Sequence, residues 1–388
     1  MKIARRLVTR VCRTGTVLFV LMLPSGSTPG WTADYAWVVA APEEVSLNAD
    51  LLQKLTATIR SDPEINIHSI LIVKDNKLVF EEYFRGHDED WGTDLGLVDF
   101  DRDTRHDLRS VSKSLTSALV GIAISEGEIQ RVNTTAHELF PGYHDQLAPD
   151  KRSLTLHHIL TMSAGLDWFE PSDYTNPGND EIRMINSADP VAFTLGRSLS
   201  SAPGEHFRYN GGLPTLLGYL LENAYDLPGD EILREKLLTP LGVREFDFRA
   251  NSNGMLAYAS GIRLTPRDMA KFGLLFLHGG RFNGKQVVPE EWVETSMMPH
   301  ITTSWTAGYG YQWWIARFGS GETSMWVPSA VGNGGQRIYI IEPLNMVVVI
   351  TAGNYNMAEV ELSGIEILTK TVFPAAGIDG IEFIRSAR

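Results

Sequence analysis

Cysteine is nearly absent. The chain has one, Cys12, in 388 residues. A disulfide scaffold, a Cys-based zinc site, an iron–sulfur cluster and a Cys–His nucleophile pair are therefore excluded as organising principles. Basic charge is also scarce, with 34 Lys+Arg against 47 Asp+Glu and a formal net charge of −13. Gripping a phosphate backbone needs a basic face, so nucleic acid is not an expected partner. Long apolar runs are missing too. The run from Thr16 to Pro24 is too short to cross a hydrocarbon layer of about 30 Å as a helix. No His-Glu-x-x-His occurs, and there is no repeat or low-complexity tract. His157 and His158 are adjacent and point different ways on a helix, so they do not pair on a metal. Gly279–Gln286 loosely matches a phosphate loop, but Gln286 lacks the hydroxyl that holds Mg²⁺ and no strand precedes it.

What is present supports a large core: 43% of residues are hydrophobic and 21% charged. The length suits two or three domain-sized units, or one large domain with an insertion. Lys2, Arg5, Arg6, Arg10 and Arg13 precede the short apolar run, with no acid among residues 2–13. That is the pattern of a secretory signal over residues 1–30, with small residues at Ser25-Gly26-Ser27 offering one cleavage point. An uncleaved membrane anchor is the alternative. The expected location is the periplasm or the exterior. Loss of the five basic residues takes the net charge to −18 and removes the cysteine. Residues 31–43 read as linker, 44–375 as the folded unit and 376–388 as a tail.

Along the chain, Leu51, Leu52, Leu55 and Ile59 recur at helical spacing between Leu47 and Arg60. Ile67–Val73 and Leu78–Phe84 flank Asp75-Asn76 and read as a hairpin. Residues 86–107 read as a charged surface loop. Ser110–Glu126 is a strong helix stopped by Gly127. Leu154–Met162, Pro214–Ala224 and Asp230–Leu238 are further helices, and Thr265-Pro266-Arg267-Asp268 opens another that Gly279-Gly280 closes. Tyr309–Phe318, Gln336–Glu342 and Met346–Ala352 read as strands, and Met357–Val372 as a last helix. The expected fold class is α+β: an antiparallel sheet flanked by helices (α/β/α), from about 44–127 plus 255–375, with a mostly helical lobe inserted over about 128–254.

Three stretches carry chemistry. Ser110-Val111-Ser112-Lys113 stands at the mouth of the strong helix, and a spacing of three places Ser110 and Lys113 on one face. Unpaired N–H groups at a helix start face outward with partial positive charge. An uncharged amine beside a hydroxyl can take its proton. The plain alternative is a serine cap and a solvated lysine. Tyr209 sits in the Gly/Asn-rich loop 203–212, from which a phenol can relay a proton in a cleft; an ordinary half-buried tyrosine is the alternative. Gly332-Asn333-Gly334-Gly335 precedes a strand, where a substrate can lie against backbone and an N–H can face an oxyanion; a tight turn is the alternative. Trp305, Trp313, Trp314 and Trp168 either line a cleft or pack on the sheet.

Taken in this order, the chain resembles the serine β-lactamase and penicillin-binding-protein superfamily. The likeness is greatest to its class C-like branch of related serine hydrolases, with family VIII-type carboxylesterases and 6-aminohexanoate-dimer hydrolases. It rests on Ser69–Phe84, Arg109–Ala123, Leu154–Trp168, Phe207–Gly218, Tyr309–Trp314 and Gly332–Pro343. The resemblance implies the β-lactamase/transpeptidase-like fold and an acyl-enzyme route without metal or cofactor. Ser110 is then the nucleophile, with Lys113 as its base, alone or shared with Tyr209, which serves the leaving group. The backbone N–H groups of Ser110 and Asn333 form the oxyanion hole, and Asn210, Gly332, Gly334, Trp168 and Trp314 hold substrate. Two departures matter. Tyr209-Asn210-Gly211 replaces Tyr-x-Asn, and Ala330-Val331-Gly332 replaces the Lys/His-Thr-Gly triplet. A cation there pairs with a substrate carboxylate, so its loss favours neutral small-molecule esters or simple amides; Arg337 is a possible substitute. No acid for a class A deacylation water is evident. A β-lactamase or D-amino-acid peptidase is the alternative enzyme, and a non-turnover binding or sensor protein the alternative from another class.

Overall fold

The computed structural model describes residues 35–320, 323–357 and 359–385. The signal segment, its cleavage point and Cys12 lie outside the described residues.

The turn at Asp75-Asn76 folds the chain back early. Both residues have positive φ (51° and 63°), which suits a tight hairpin between right-twisted strands. The hairpin strands are β2 (Ile67–Lys74) and β3 (Lys77–Tyr83), and β1 (Val38–Val39) lies parallel to β3. β4 (Arg85–Asp90) and β5 (Thr93–Asp99) make a separate ribbon. β6 (His106–Asp107), β7 (Asp247–Phe248) and β8 (Ile262–Leu264) form a small sheet in the order β6-β8-β7. β9 (Arg281–Phe282) and β10 (Lys285–Gln286) are a short hairpin. The last strands are β11 (Gly308–Tyr309), β12 (Trp314–Ser320), β13 (Thr323–Val331), β14 (Arg337–Ile341), β15 (Met346–Ala352) and β16 (Glu382–Phe383).

The main sheet runs β1-β3-β2-β15-β14-β13-β12-β11, with β16 also on β12. Early and late chain meet at its centre, where β2 and β15 pair antiparallel with Val347 opposite Val73 and Val349 opposite Leu71. Successive β15 side chains serve opposite faces. Val347 and Val349 join one core with Met269 and Phe272 of the helix Pro266–Leu277. Met346, Val348 and Ile350 join the other with Leu52, Leu55 and Ile59 of the helix Ala49–Ser61, and with Leu368 and Phe373 near the C-terminus. Each such side chain contributes about 1.5–3 kcal/mol by leaving water. The fold is the β-lactamase/transpeptidase-like arrangement, a sheet covered by helices on both faces. No helix among the described residues is long and apolar enough to cross a membrane.

Helix ends follow their chemistry. Thr265 accepts from the Asp268 N–H at 3.2 Å ahead of Pro266, and Gly127 ends Ser112–Glu126 with φ 80°. Five expectations are corrected. Residues 86–107 are not a loop: they hold β4, β5 and β6. The alternation in β4 is hidden because Asp88 and a glycine, not large apolar residues, point inward. Tyr309–Phe318 is two strands, because the chain turns at Gly310, where a Cβ would meet the Ser296 carbonyl at 2.0 Å. β13 escapes sequence reading because Pro328 argues against an inner strand. Pro328 is accommodated beyond the β14 ladder, which spans only Ser329–Val331. Helix does not begin at Met357 but after the Ser363 cap, and the residues before it wall a cavity. Val38–Val39 and Glu382–Phe383, expected in linker and tail, are sheet strands.

Gly273 lets the helix Pro266–Leu277 lie directly on the sheet, since a Cβ would sit 2.5 Å from Val347 Cγ1 and 3.0 Å from Ile338 Cγ2. Gly273→Ala is expected to destabilise the protein by about 1–3 kcal/mol through overpacking, read as a lower thermal midpoint; an unchanged midpoint contradicts this close approach.

Candidate active site

The helix Ser112–Glu126 is fastened at its first turn to one segment of distant chain. Ser112 Oγ accepts from the Ile262 N–H (3.2 Å), Thr116 Oγ1 donates to the Tyr258 carbonyl (3.0 Å), and Lys113 Nζ donates to the Ala259 carbonyl (3.0 Å). Lys113 is 1% exposed. Its amine also donates to Ser110 Oγ at 2.9 Å and lies 5.0 Å from the centre of the Tyr209 ring. Tyr209 lines the same cavity as Ser110, and its phenol is close enough for Ser110 to favour the ionised form. The Ser110/Lys113 pair and the phenol of Tyr209, remote from it in sequence, thus come together at one cavity.

Ser110 is not inside the helix but on a 3₁₀ turn, Arg109–Val111, just before it. Arg109 has φ 49°, a costly conformation for a side-chain-bearing residue. Its guanidinium is held by Glu89 (2.5 Å) and Asp107 (3.3 Å) and lies over the rings of Trp91 and Tyr355. Gly332 packs on this turn so tightly that a Cβ would stand 2.3 Å from the Leu108 carbonyl. That approach sets Asn333 beside Ser110, and both line the same two cavities.

The larger cavity, about 550 Å³, holds Ser110, Tyr209, Glu170, Trp305, Trp314 and the Gly332–Gly335 edge among its walls. Trp314 stacks on Tyr209 with ring centres 5.6 Å apart. Gly332, Gly334 and Trp314 line this cavity. Asn210 and Trp168 do not line it. Asn210 is buried and accepts from the Gly212 N–H at 2.8 Å, which starts a helix; Trp168 is buried and donates through Nε1 to Glu170 at 2.6 Å. Trp313 belongs to the core, stacked against Phe272. Arg337 borders the cavity, but its Nη1 donates to the Gly332 and Gln336 carbonyls at 2.7 and 2.8 Å.

The structure also supplies acids that sequence reading missed. Glu170 accepts from Trp168 Nε1, the Gly211 N–H (2.6 Å) and the Tyr174 hydroxyl (2.8 Å). Glu181, 3% exposed, accepts from Ser260 Oγ at 3.1 Å, while its Oε2 faces no donor and lies against Glu170. A proton on that oxygen satisfies both carboxyls. Burial, then the charge of Glu170, push the Glu181 carboxyl well above the usual carboxylate range. Burial and the same Glu170 charge also raise the Tyr209 phenol far above its ordinary value, against a lowering from Ser110. Nothing in sequence spacing links residues 170 and 181 to Ser110; only the fold brings their loops over the helix start.

The profile of the family described as Beta-lactamase matches residues 55–363. The chain belongs to the β-lactamase family. This β-lactamase-family hydrolase is 25% identical over 335 residues to the 6-aminohexanoate-dimer hydrolase of Paenarthrobacter ureafaciens, covering 80% of this chain and 79% of that one. Its fold matches that of the octameric penicillin-binding protein homologue from Pyrococcus abyssi (TM-score 0.61, 20% identity, 80% of this chain and 74% of the other). It also matches EstCE1, a hydrolase with promiscuous acyltransferase activity (TM-score 0.61, 15% identity, 80% and 94%).

The Glu181 carboxyl holds a proton in the folded state that the unfolded chain releases above about pH 4.5. Its favourable contribution is whole below that pH and is lost as pH rises toward the raised native value. Thermal midpoints measured between about pH 5 and pH 8 are therefore expected to fall less steeply in Glu181→Gln than in the parent protein; identical slopes contradict a protonated Glu181.

Proposed function

We propose that this serine hydrolase cleaves neutral carboxylic esters, and next simple amides, through an acyl-enzyme on Ser110. The observation that carries the reading is the Lys113 amine on Ser110 Oγ, with the Tyr209 ring 5.0 Å from that amine and in the same cavity as the serine. In the attacking step Ser110 passes its proton to Lys113 as general base, and Oγ bonds to the acyl carbon. The bond to the leaving alkoxide or amine then breaks, and the Tyr209 phenol gives that group a proton. Burial and Glu170 favour the protonated phenol, which suits a donor. Water next attacks the ester on Ser110 with the same groups reversed, releasing the acid. The Ser110 and Asn333 N–H groups would face the oxyanion, each worth about 3–4 kcal/mol in the transition state.

Neutral substrates are favoured because the position of the usual cation is Ala330, and two bonds of Arg337 Nη1 go to backbone carbonyls. Each missing charged hydrogen bond costs an anionic substrate about 1.5–3 kcal/mol. Glu170 in the same wall adds to this discrimination. The amide reading gains support from the name of the 25% identical relative, an amide hydrolase. The basic-then-apolar N-terminus supports export to the periplasm or beyond.

A fluorophosphonate probe is expected to label Ser110, and p-nitrophenyl esters to be turned over faster than nitrocefin. Ser110→Ala should lower activity by a factor of about 10⁶, and Lys113→Ala comparably if the two act as a unit. Absent labelling contradicts the acyl-enzyme; rapid nitrocefin turnover would make the protein a β-lactamase instead. A mild Lys113→Ala loss places the base elsewhere.

A further inference from the structure

We propose that His68, Asp88 and His106 bind one divalent transition-metal ion, zinc by the chemistry of the donors, as a structural site behind the nucleophile turn. The three side chains are 0%, 5% and 0% exposed, and one ligand atom from each lies within 4.8 Å of the other two. Among the described residues no hydrogen bond joins them to one another.

Each ligand already has an outer partner. His68 Nε2 donates to the His87 carbonyl at 2.8 Å, which fixes the proton on Nε2 and leaves a lone pair on Nδ1. That Nδ1 is buried and has no hydrogen-bond partner. On His106, Nε2 faces the Thr351 hydroxyl at 3.5 Å, where either atom can donate, and Nδ1 is buried without a partner. Asp88 accepts from the Tyr355 hydroxyl through Oδ1 at 3.0 Å, leaving Oδ2 as the donor atom. Metal-binding imidazoles characteristically give their second nitrogen to a carbonyl or hydroxyl, and ligating carboxylates are hydrogen-bonded in turn. A buried imidazole nitrogen without a partner is costly in a merely packed core. The ring of Phe100 covers both imidazoles, with centroids 3.9 Å from His68 and 4.8 Å from His106.

The placement gives the ion a purpose. His68 is on β2 of the main sheet, Asp88 on β4 of the ribbon and His106 on β6 of the small sheet. No β-ladder joins these three sheets to one another among the described residues. His106 is four residues before Ser110, and Glu89, next to Asp88, pairs with Arg109. One ion would therefore tie three sheets together under the strained turn that presents the serine. Two imidazoles and one carboxylate suit zinc, which takes nitrogen and oxygen in a tetrahedral set. A fourth donor, hydroxyl or water, completes it.

The test uses the full chain, purified with any affinity tag removed. Metal content is measured before chelation, after it, and after reloading with zinc; cobalt absorption reports the coordination. The expected result is about one zinc per chain, a thermal midpoint that falls on stripping and returns on reloading, and visible bands of four-coordinate cobalt. Asp88→Asn should abolish stoichiometric binding, and Tyr355→Phe should weaken it about 10–100-fold. If Asp88→Asn does not fold, the cobalt spectrum of the parent protein decides. Metal below roughly a tenth of an equivalent after reloading, with no cobalt bands and an unmoved midpoint, overturns the site and makes the cluster polar packing only.

Discussion

A buried amine with few partners organises this protein. Lys113 cannot reach bulk water, and its hydrogen bonds go to Ser110 Oγ and the Ala259 carbonyl. A buried charge or polar group without such partners is strongly unfavourable. The constraint acts in both directions. It holds the helix start at 112–116 against residues 258–262, and it holds the serine hydroxyl within hydrogen-bond reach of the amine. The contacts that pack the helix start are thus the ones that place the serine hydroxyl.

The surroundings extend that set. Ser260, next to the lysine's carbonyl partner, donates to Glu181; Glu181 lies against Glu170; and Glu170 accepts the Gly211 N–H two residues after Tyr209. Lysine and phenol are therefore linked through a pair of carboxyls, of which Glu181 is buried and Glu170 faces the cavity. Gly211 has no room for a side chain, since a Cβ would stand 2.3 Å from Glu181 Oε2. The departure from Tyr-x-Asn at this position has a steric reason: the acid occupies the volume beside it, and Asn210 turns inward to accept the N–H of Gly212, the first residue of the following helix. The substrate preference proposed above rests on this exchange of an amide and a cation for carboxyl groups.

Much of the fold was legible. Apolar periodicity marked the helix Ala49–Ser61, the Asp75-Asn76 turn marked the first hairpin, and β15 coincided with Met346–Ala352. The failures share a cause. β4 and β13 carry residues, Asp88 and Pro328, that argue against a strand unless partners are known. The stretch before Ser363 is apolar enough to read as helix, yet its side chains serve a cavity wall. Trp168 and Asn210 carry a family motif's appearance but are spent on Glu170 and on a helix start.

By itself the sequence determined which groups are available: one serine and one lysine three apart at a helix mouth, a tyrosine in a glycine-rich loop, a glycine-rich strand edge, and almost no cysteine. Those follow from spacing and backbone preference, which are local. Tertiary structure alone decided that the phenol meets the serine, that Glu170 and Glu181 stand behind them, and that His68, Asp88 and His106 converge. These depend on β2 pairing with β15 and on loops crossing a helix start. Contacts between residues far apart in sequence are fixed by the shared burial of many side chains, and no short pattern encodes them.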